Sequence, residues 1–281
     1  RLIGGVWTQQ GADIEGTAEL DELGYSVSLS SDGQTVAIGA PTNSDNGFYS
    51  GHVQVYKLIG GVWTQQGGDI QGQGEFDVMG NSVSLSSDGQ IVAVGNGSGR
   101  GHVRVYKLIG GVWTQQGPDI DGEAAENQSG FSVSLSSDGQ TVAIGAIGNS
   151  DNGYYSGHVR VYKLISGVWT QQGQDIDGEA AEDRSGYSVS LSSDGQTVAI
   201  GAYANSDNGS FSGQVRVYKL IGGVWVQVGS DIDGEAADDE SGYSVSLSSD
   251  GQTVAIGAPT NSDNGYLSGQ VRVYRLIGGV W

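Results

Sequence analysis

The sequence predicts an all-β protein, a five-bladed β-propeller of four-stranded antiparallel blades, and three observations lead there. The segment "SVSLSSDGQ" begins at Ser26, Ser82, Ser132, Ser188 and Ser244, so the chain holds five near-identical units. The six tryptophans, Trp7, Trp63, Trp113, Trp169, Trp225 and Trp281, keep the same step. Each unit reads as short alternating runs punctuated by Gly, with no stripe of helical period. A fixed repeat built from four strands, without helices, fits a propeller better than a sandwich, which rarely repeats one motif.

The unit around residues 187–242 shows the four strands in order. "GYSVSLS" (Gly186 to Ser192) and "TVAIGA" (Thr197 to Ala202) are joined by Ser193-Asp194-Gly195-Gln196, a tight turn in which Gly supplies positive φ. The third strand, "GQVRVYKLI" (Gly213 to Ile221), alternates with period two. A Gly-Gly pair then leads into "GVWVQVG" (Gly223 to Gly229), because a type I′ turn needs positive φ at both central residues. In the first strand Tyr187, Val189 and Leu191 face one way and Ser188, Ser190 and Ser192 the other, so each blade has a bulky face and a small one. Large against small gives stacked blades normal packing density.

The repeats fall near residues 25–80, 81–130, 131–186, 187–242 and 243–281, with an N-terminal strand over 5–10, all in one domain spanning 1–281. The second step is shorter because "NGSGRG" (Asn96 to Gly101) stands where others read "NSDNGYYSG", a loss that a loop tolerates. The last unit supplies three strands and stops at Trp281, while Gly5 to Gln10 carries a complete outer strand. This predicts closure of the ring by the N-terminal strand, with Trp7 rather than Trp281 filling the last tryptophan position. Sealing the ring would remove an exposed strand edge. The duplicated "RLIGGVW" then leaves Arg1 to Gly4 and Gly278 to Trp281 redundant, either as boundaries of a longer array or as ends by which copies self-associate.

The stretch "SGYSVSLSSDGQTVAIGAPTNSDNGYLSGQVRVY", Ser241 to Tyr274, resembles the FG-GAP repeat of integrin α-subunit propellers, with Gly257-Ala258-Pro259 and Gly39-Ala40-Pro41 supplying the "GAP". The resemblance extends over all five units and implies a propeller blade for each. Two departures limit it. The family's calcium loop lies between the first two strands and is rich in Asp, whereas Ser31 to Gln34 reads only Ser-Asp-Gly-Gln. Integrin propellers also have seven blades, so their ligand binding does not carry over.

Charge carries the functional reading. The formal net charge is −20, and 23 of the 32 acidic residues fall in the connectors from one blade's outer strand to the next blade's first strand. Asp45, Asp151, Asp207 and Asp263 lie in the loops between second and third strands, which open on the same rim. One rim is therefore strongly negative, which argues against nucleic acid and for a cation, a basic protein or a cation-bridged glycan as partner. Within it, "DIDG" recurs at Asp119 and Asp121, Asp175 and Asp177, and Asp231 and Asp233, couples of hard oxygen donors of the kind Ca²⁺ uses. The alternative is a solvated rim that keeps a repetitive β-protein soluble.

No nucleophile elbow, phosphate loop or cysteine is present, and no residue set stands out from the repeats as an active site, so a non-enzymatic role is expected. His52, His102 and His158 share a position that holds Gln214 and Gln270 elsewhere, so they read as strand-start surface residues rather than ligands. The repeated tryptophan reads as blade-edge packing, or as a sugar platform where exposed. No apolar run approaches a membrane span. The expectation is a binding or adhesion propeller, extracellular or surface-exposed, with Ca²⁺ as the only ion implied and none required. A structural subunit that polymerises through its edges is the alternative.

Overall fold

A computed structural model describes the whole chain, Arg1 to Trp281, as five antiparallel sheets arrayed as propeller blades. Blade 3 shows the plan. Its strands Ser129–Leu135, Thr141–Ala146, His158–Ile165 and Val168–Gln171 pair in chain order. Alternate apolar side chains therefore share a face, as the period-two pattern requires.

Turn chemistry fixes the register. Between first and second strands, Asp194 Oδ1 accepts from Ser192 Oγ (2.6 Å) and from the backbone N of Gln196 (3.0 Å), and the same bonds recur at Asp32, Asp88, Asp138 and Asp250. Between third and outer strands, Gly222 and Gly223 take φ of 60° and 86°, the double positive φ of a type I′ hairpin. Blade 3 places Ser166 (φ 51°) in the first of these positions.

The outer strand is longer than its sequence suggests. After a bulge at Gln172 to Asp175, the chain returns to the third strand: Ile176 pairs with Val159 and Asp177 with His158. The same short return occurs at Ile70–Gln71, Ile120–Asp121 and Ile232–Asp233. Each of these isoleucines is buried and anchors the bulge.

Neighbouring blades meet through the large and small faces foreseen from the sequence, and also through hydrogen bonds. Ser134 Oγ accepts from Leu191 N at 2.9 Å, and Ser132 Oγ donates to Gly186 O at 2.7 Å. Both pairs recur at the other joints. Trp225 inserts against blade 3, where its Nε1 donates to Gln172 O at 2.7 Å. The indole lies over Gly173, where an added Cβ would stand 2.8 Å from Trp225 Cδ1, so only glycine fits. Trp63, Trp113, Trp169 and Trp281 make the equivalent bond, which bears out the packing role of this residue.

The expected closure by the N-terminal strand does not form. Leu2–Ile3 folds back on Val6–Trp7 as a local hairpin, and the blade 5 sheet keeps three strands, Ser244–Leu247, Thr253–Ala258 and Gln270–Arg275. Trp7 is 80% exposed, whereas Trp281 packs against blade 4. The two end blades stand apart. Val27 and Leu29 of blade 1 are 65% and 61% exposed, although their counterparts Val83 and Leu85 are buried. Val271 and Val273 of blade 5 are likewise uncovered, against buried Val103 and Val105. The faces that a closing joint would bury are therefore open to solvent at both ends of the blade array. The local hairpin, with Gly4 and Gly5 both at positive φ, takes up the N-terminal residues instead.

Candidate functional site, the acidic rim

The order of strands places outer-to-first connectors and second-to-third loops on one rim, and hydrogen bonds tie them together there. Asn43 Nδ2 donates to Asp21 Oδ1 at 2.9 Å, and Asn261 Nδ2 to Asp239 Oδ1 at 3.0 Å. Asp21, Asp183 and Asp239 are buried, and each also accepts from backbone N–H of its own connector. Burial pushes the Asp183 carboxyl above its ordinary range despite these bonds. These acids are loop braces. Glu123, Glu126, Glu179, Glu182, Glu235 and Asp238 remain exposed and supply the rim's outward charge.

Half of each "DIDG" couple proves to be strand, over Ile120–Asp121, Ile176–Asp177 and Ile232–Asp233, with the first aspartate just before it. The first member of each caps the bulge: Gln115 Nε2 donates to Asp119 Oδ1 at 2.7 Å, Gln171 does so to Asp175, and Gln227 to Asp231 at 2.6 Å. Asp119 Oδ2 also accepts from Arg104 Nε at 2.9 Å. The second members, Asp121, Asp177 and Asp233, sit opposite His102, His158 and Gln214. Their carbonyl oxygens accept from Arg160, Arg216 and Arg272 of the following blade at 3.0, 2.8 and 2.7 Å, locking blade to blade. Burial, then Asp175 and Asp151, raise the Asp177 carboxyl. No couple joins a third carboxylate or imidazole in a compact donor set. The one such set is Glu123, His158 and Asp175, which takes in a single one of the six candidates.

The histidines differ from expectation. They do open the third strands, but His52 and His158 are fully enclosed rather than on the surface, because the returning outer strand and the connector cover them. Burial, then the Arg160 charge, pushes His158 down to about 4, so its imidazole is neutral at pH 7.

Aromatic side chains stand among the acids. Phe48, Phe76, Tyr154, Phe211 and Tyr266 project from the rim loops, Tyr266 at 90% exposure. Nearer the axis, where the first strands begin, Tyr187 packs against Phe131, Tyr203 and Tyr243 with ring centroids 4.4 to 4.9 Å apart. Arg184 lies 5.7 Å from the Tyr155 ring and 6.0 Å from Tyr203. The chain's own guanidinium thus already occupies a place between these faces.

Blades of this plan around one axis, with loops gathered on a polar rim, define a repeat propeller. Residues 15–56, 169–218 and 231–274 match the FG-GAP repeat, and the molecule is an FG-GAP-repeat β-propeller, as the resemblance implied. No curated protein matches the chain in sequence. Among solved structures it is similar to hydrazine synthase of Kuenenia stuttgartiensis, with 16% identity and a TM-score of 0.59 over 95% of this chain and 68% of that one. It is also similar to TolB of Acinetobacter baumannii, with 14% identity and a TM-score of 0.53 over 89% of this chain and 51% of that one. At such identities the likeness is one of fold.

Proposed function

We propose that this propeller is a non-enzymatic binding module whose acidic, aromatic-studded rim takes a Lys- and Arg-rich protein surface. The observation that carries this reading is the interleaving of exposed carboxylates such as Glu182 and Asp238 with exposed rings such as Tyr154 and Tyr266. Carboxylates attract a cationic chain, and ring faces hold its ammonium or guanidinium groups at about 6 Å from the centroid. A bare divalent ion needs only the oxygens. Arg184 among Tyr155 and Tyr203 supports the same chemistry from within the chain. An extracellular or surface location accords with such a role.

The test is fluorescence anisotropy of a labelled Arg-rich peptide. Saturable binding that weakens with salt, and weakens further in Tyr154→Ser and Tyr266→Ser, is expected. Equal binding of an Asp-rich control, or no effect of the two ring substitutions, would contradict the proposal. A second reading rests on the end faces. Blade 1 exposes the bulky half, and blade 5 the small half, of a joint that recurs between all neighbouring blades. A second copy could complete that joint head to tail, an open-ended association that yields a larger ring or a filament. Light scattering should then show mass rising with concentration, and Val271→Asp should hold the chain monomeric.

A further inference from the structure

His158 is fully buried, and neither ring nitrogen has a hydrogen-bond partner. Buried polar groups are ordinarily paired, so an imidazole with both nitrogens free calls for an explanation. Two carboxylates face it. Nδ1 lies 3.9 Å from Asp175 Oδ2, and donor atoms of Glu123, His158 and Asp175 all fall within 4.8 Å of one another. We propose that blade 3 holds a divalent transition-metal ion of the Zn²⁺ class on Glu123, His158 and Asp175.

The donor set suits that class. One neutral imidazole and two carboxylates leave a position open for water or a partner's side chain, whereas Ca²⁺ asks for six or more oxygens. Donors around tetrahedral zinc stand about 3.3 Å apart, given bonds of about 2.0–2.1 Å. The exposed Glu123 side chain therefore has only a short distance to swing inward.

The outer contacts already orient the ligands. Gln171 holds Asp175 Oδ1 and leaves Oδ2 toward the ring, while Arg160 Nη1, 3.2 Å from Glu123 Oε1, leaves that carboxylate's second oxygen free. Partners of this kind fix ligand geometry. Arg160 and, beside Asp177, Arg216 bring two positive charges, and the carboxylates of Glu123, Asp151, Asp175 and Asp177 outnumber them.

The repeats supply the controls. The corresponding residues are Thr17, His52 and Asp69 in blade 1, Gln73, His102 and Asp119 in blade 2, and Glu179, Gln214 and Asp231 in blade 4. Blade 5 offers Glu235 and Gln270. Glutamate, histidine and aspartate coincide only in blade 3. Glu123 is shared with the acidic rim, but the buried His158 is not, so loss of the metal equivalent in His158→Gln and loss of peptide binding in the ring substitutions report on the two proposals separately.

Calorimetric titration of the full chain with Zn²⁺ at neutral pH, in excess Ca²⁺ to occupy general rim carboxylates, tests the site. One saturable equivalent is expected, and Co²⁺ in its place should show the intense visible absorption of four-coordination. His158→Gln installs the blade 4 residue, so it should leave the thermal unfolding profile of the apo chain intact while abolishing that equivalent. Gln214→His should add a second equivalent, since Glu179 and Asp231 are in place. Absence of the first equivalent, its survival in His158→Gln, or a count unchanged by Gln214→His would overturn the proposal.

Discussion

Replacing Trp225 by alanine should cost the fold about 4 kcal/mol, and replacing Trp7 almost nothing. Trp225 is 4% exposed and sits in a cluster with Val159, Val161 and Ile176. A tryptophan buries about 150–250 Å², which at about 25 cal/mol per Å² comes to some 4–6 kcal/mol. Alanine keeps part of that, while the vacated space and the unpaired carbonyl of Gln172 add to the loss, so the sum falls within the ~3–5 kcal/mol seen for large-to-small core changes. Trp7 has 80% of its surface in water already, and its removal should stay within about 0.5 kcal/mol. Urea unfolding followed by circular dichroism reads both, with midpoints well separated from each other. Equal losses, or a larger loss for Trp7→Ala, would mean that the N-terminal strand occupies a blade and that the ring is closed after all.

Three further outcomes follow from local geometry. Ser166→Gly should stabilise by up to about 1 kcal/mol in the same assay, because serine at φ 51° takes the place that Gly60, Gly110 and Gly222 fill in other blades. The carboxyls of Asp32 and Asp250 are held below their ordinary value of 3.8, first by the Ser30 and Ser248 hydroxyls and then by the backbone N–H of Gln34 and Gln252. A depressed native value means stability present above pH 3.8 and lost as pH falls through the lower native value, so Asp32→Asn with Asp250→Asn should flatten the acid limb of a stability–pH curve. If the rim also binds Ca²⁺ specifically, the ion should raise the melting temperature more than Na⁺ at matched ionic strength, and equal effects would leave only screening.

What the sequence revealed follows from what repeats. Alternation of Tyr187, Val189 and Leu191 with serines is a local, period-two signal, and it correctly gave strands, faces and blade count. The hydroxyl bonds of Ser132 and Ser134 across the joint were not legible, since their partners lie more than 50 residues away. Ring closure was misread for a related reason. The faces that meet at a joint carry nearly the same residues in every blade, so nothing local in the sequence marks the joint that does not form. "DIDG" looked like an acidic loop, yet the isoleucine between the two acids was itself the period-two sign of a strand. The blade 3 donor set escaped notice because Glu123 and Asp175 lie 35 residues before and 17 after His158, and histidine seemed interchangeable with Gln214.

Hydrogen–deuterium exchange of the chain with and without a saturating Arg-rich peptide shows where on the blades that peptide sits. Slowed exchange is expected in the connectors over 122–128, 178–184 and 234–240 and in the loops that carry Tyr154, Phe211 and Tyr266. The turns at Asp32, Asp88, Asp138, Asp194 and Asp250 on the opposite rim should be unchanged. Protection confined to those turns, or spread evenly over both rims, would contradict the acidic rim as the binding surface.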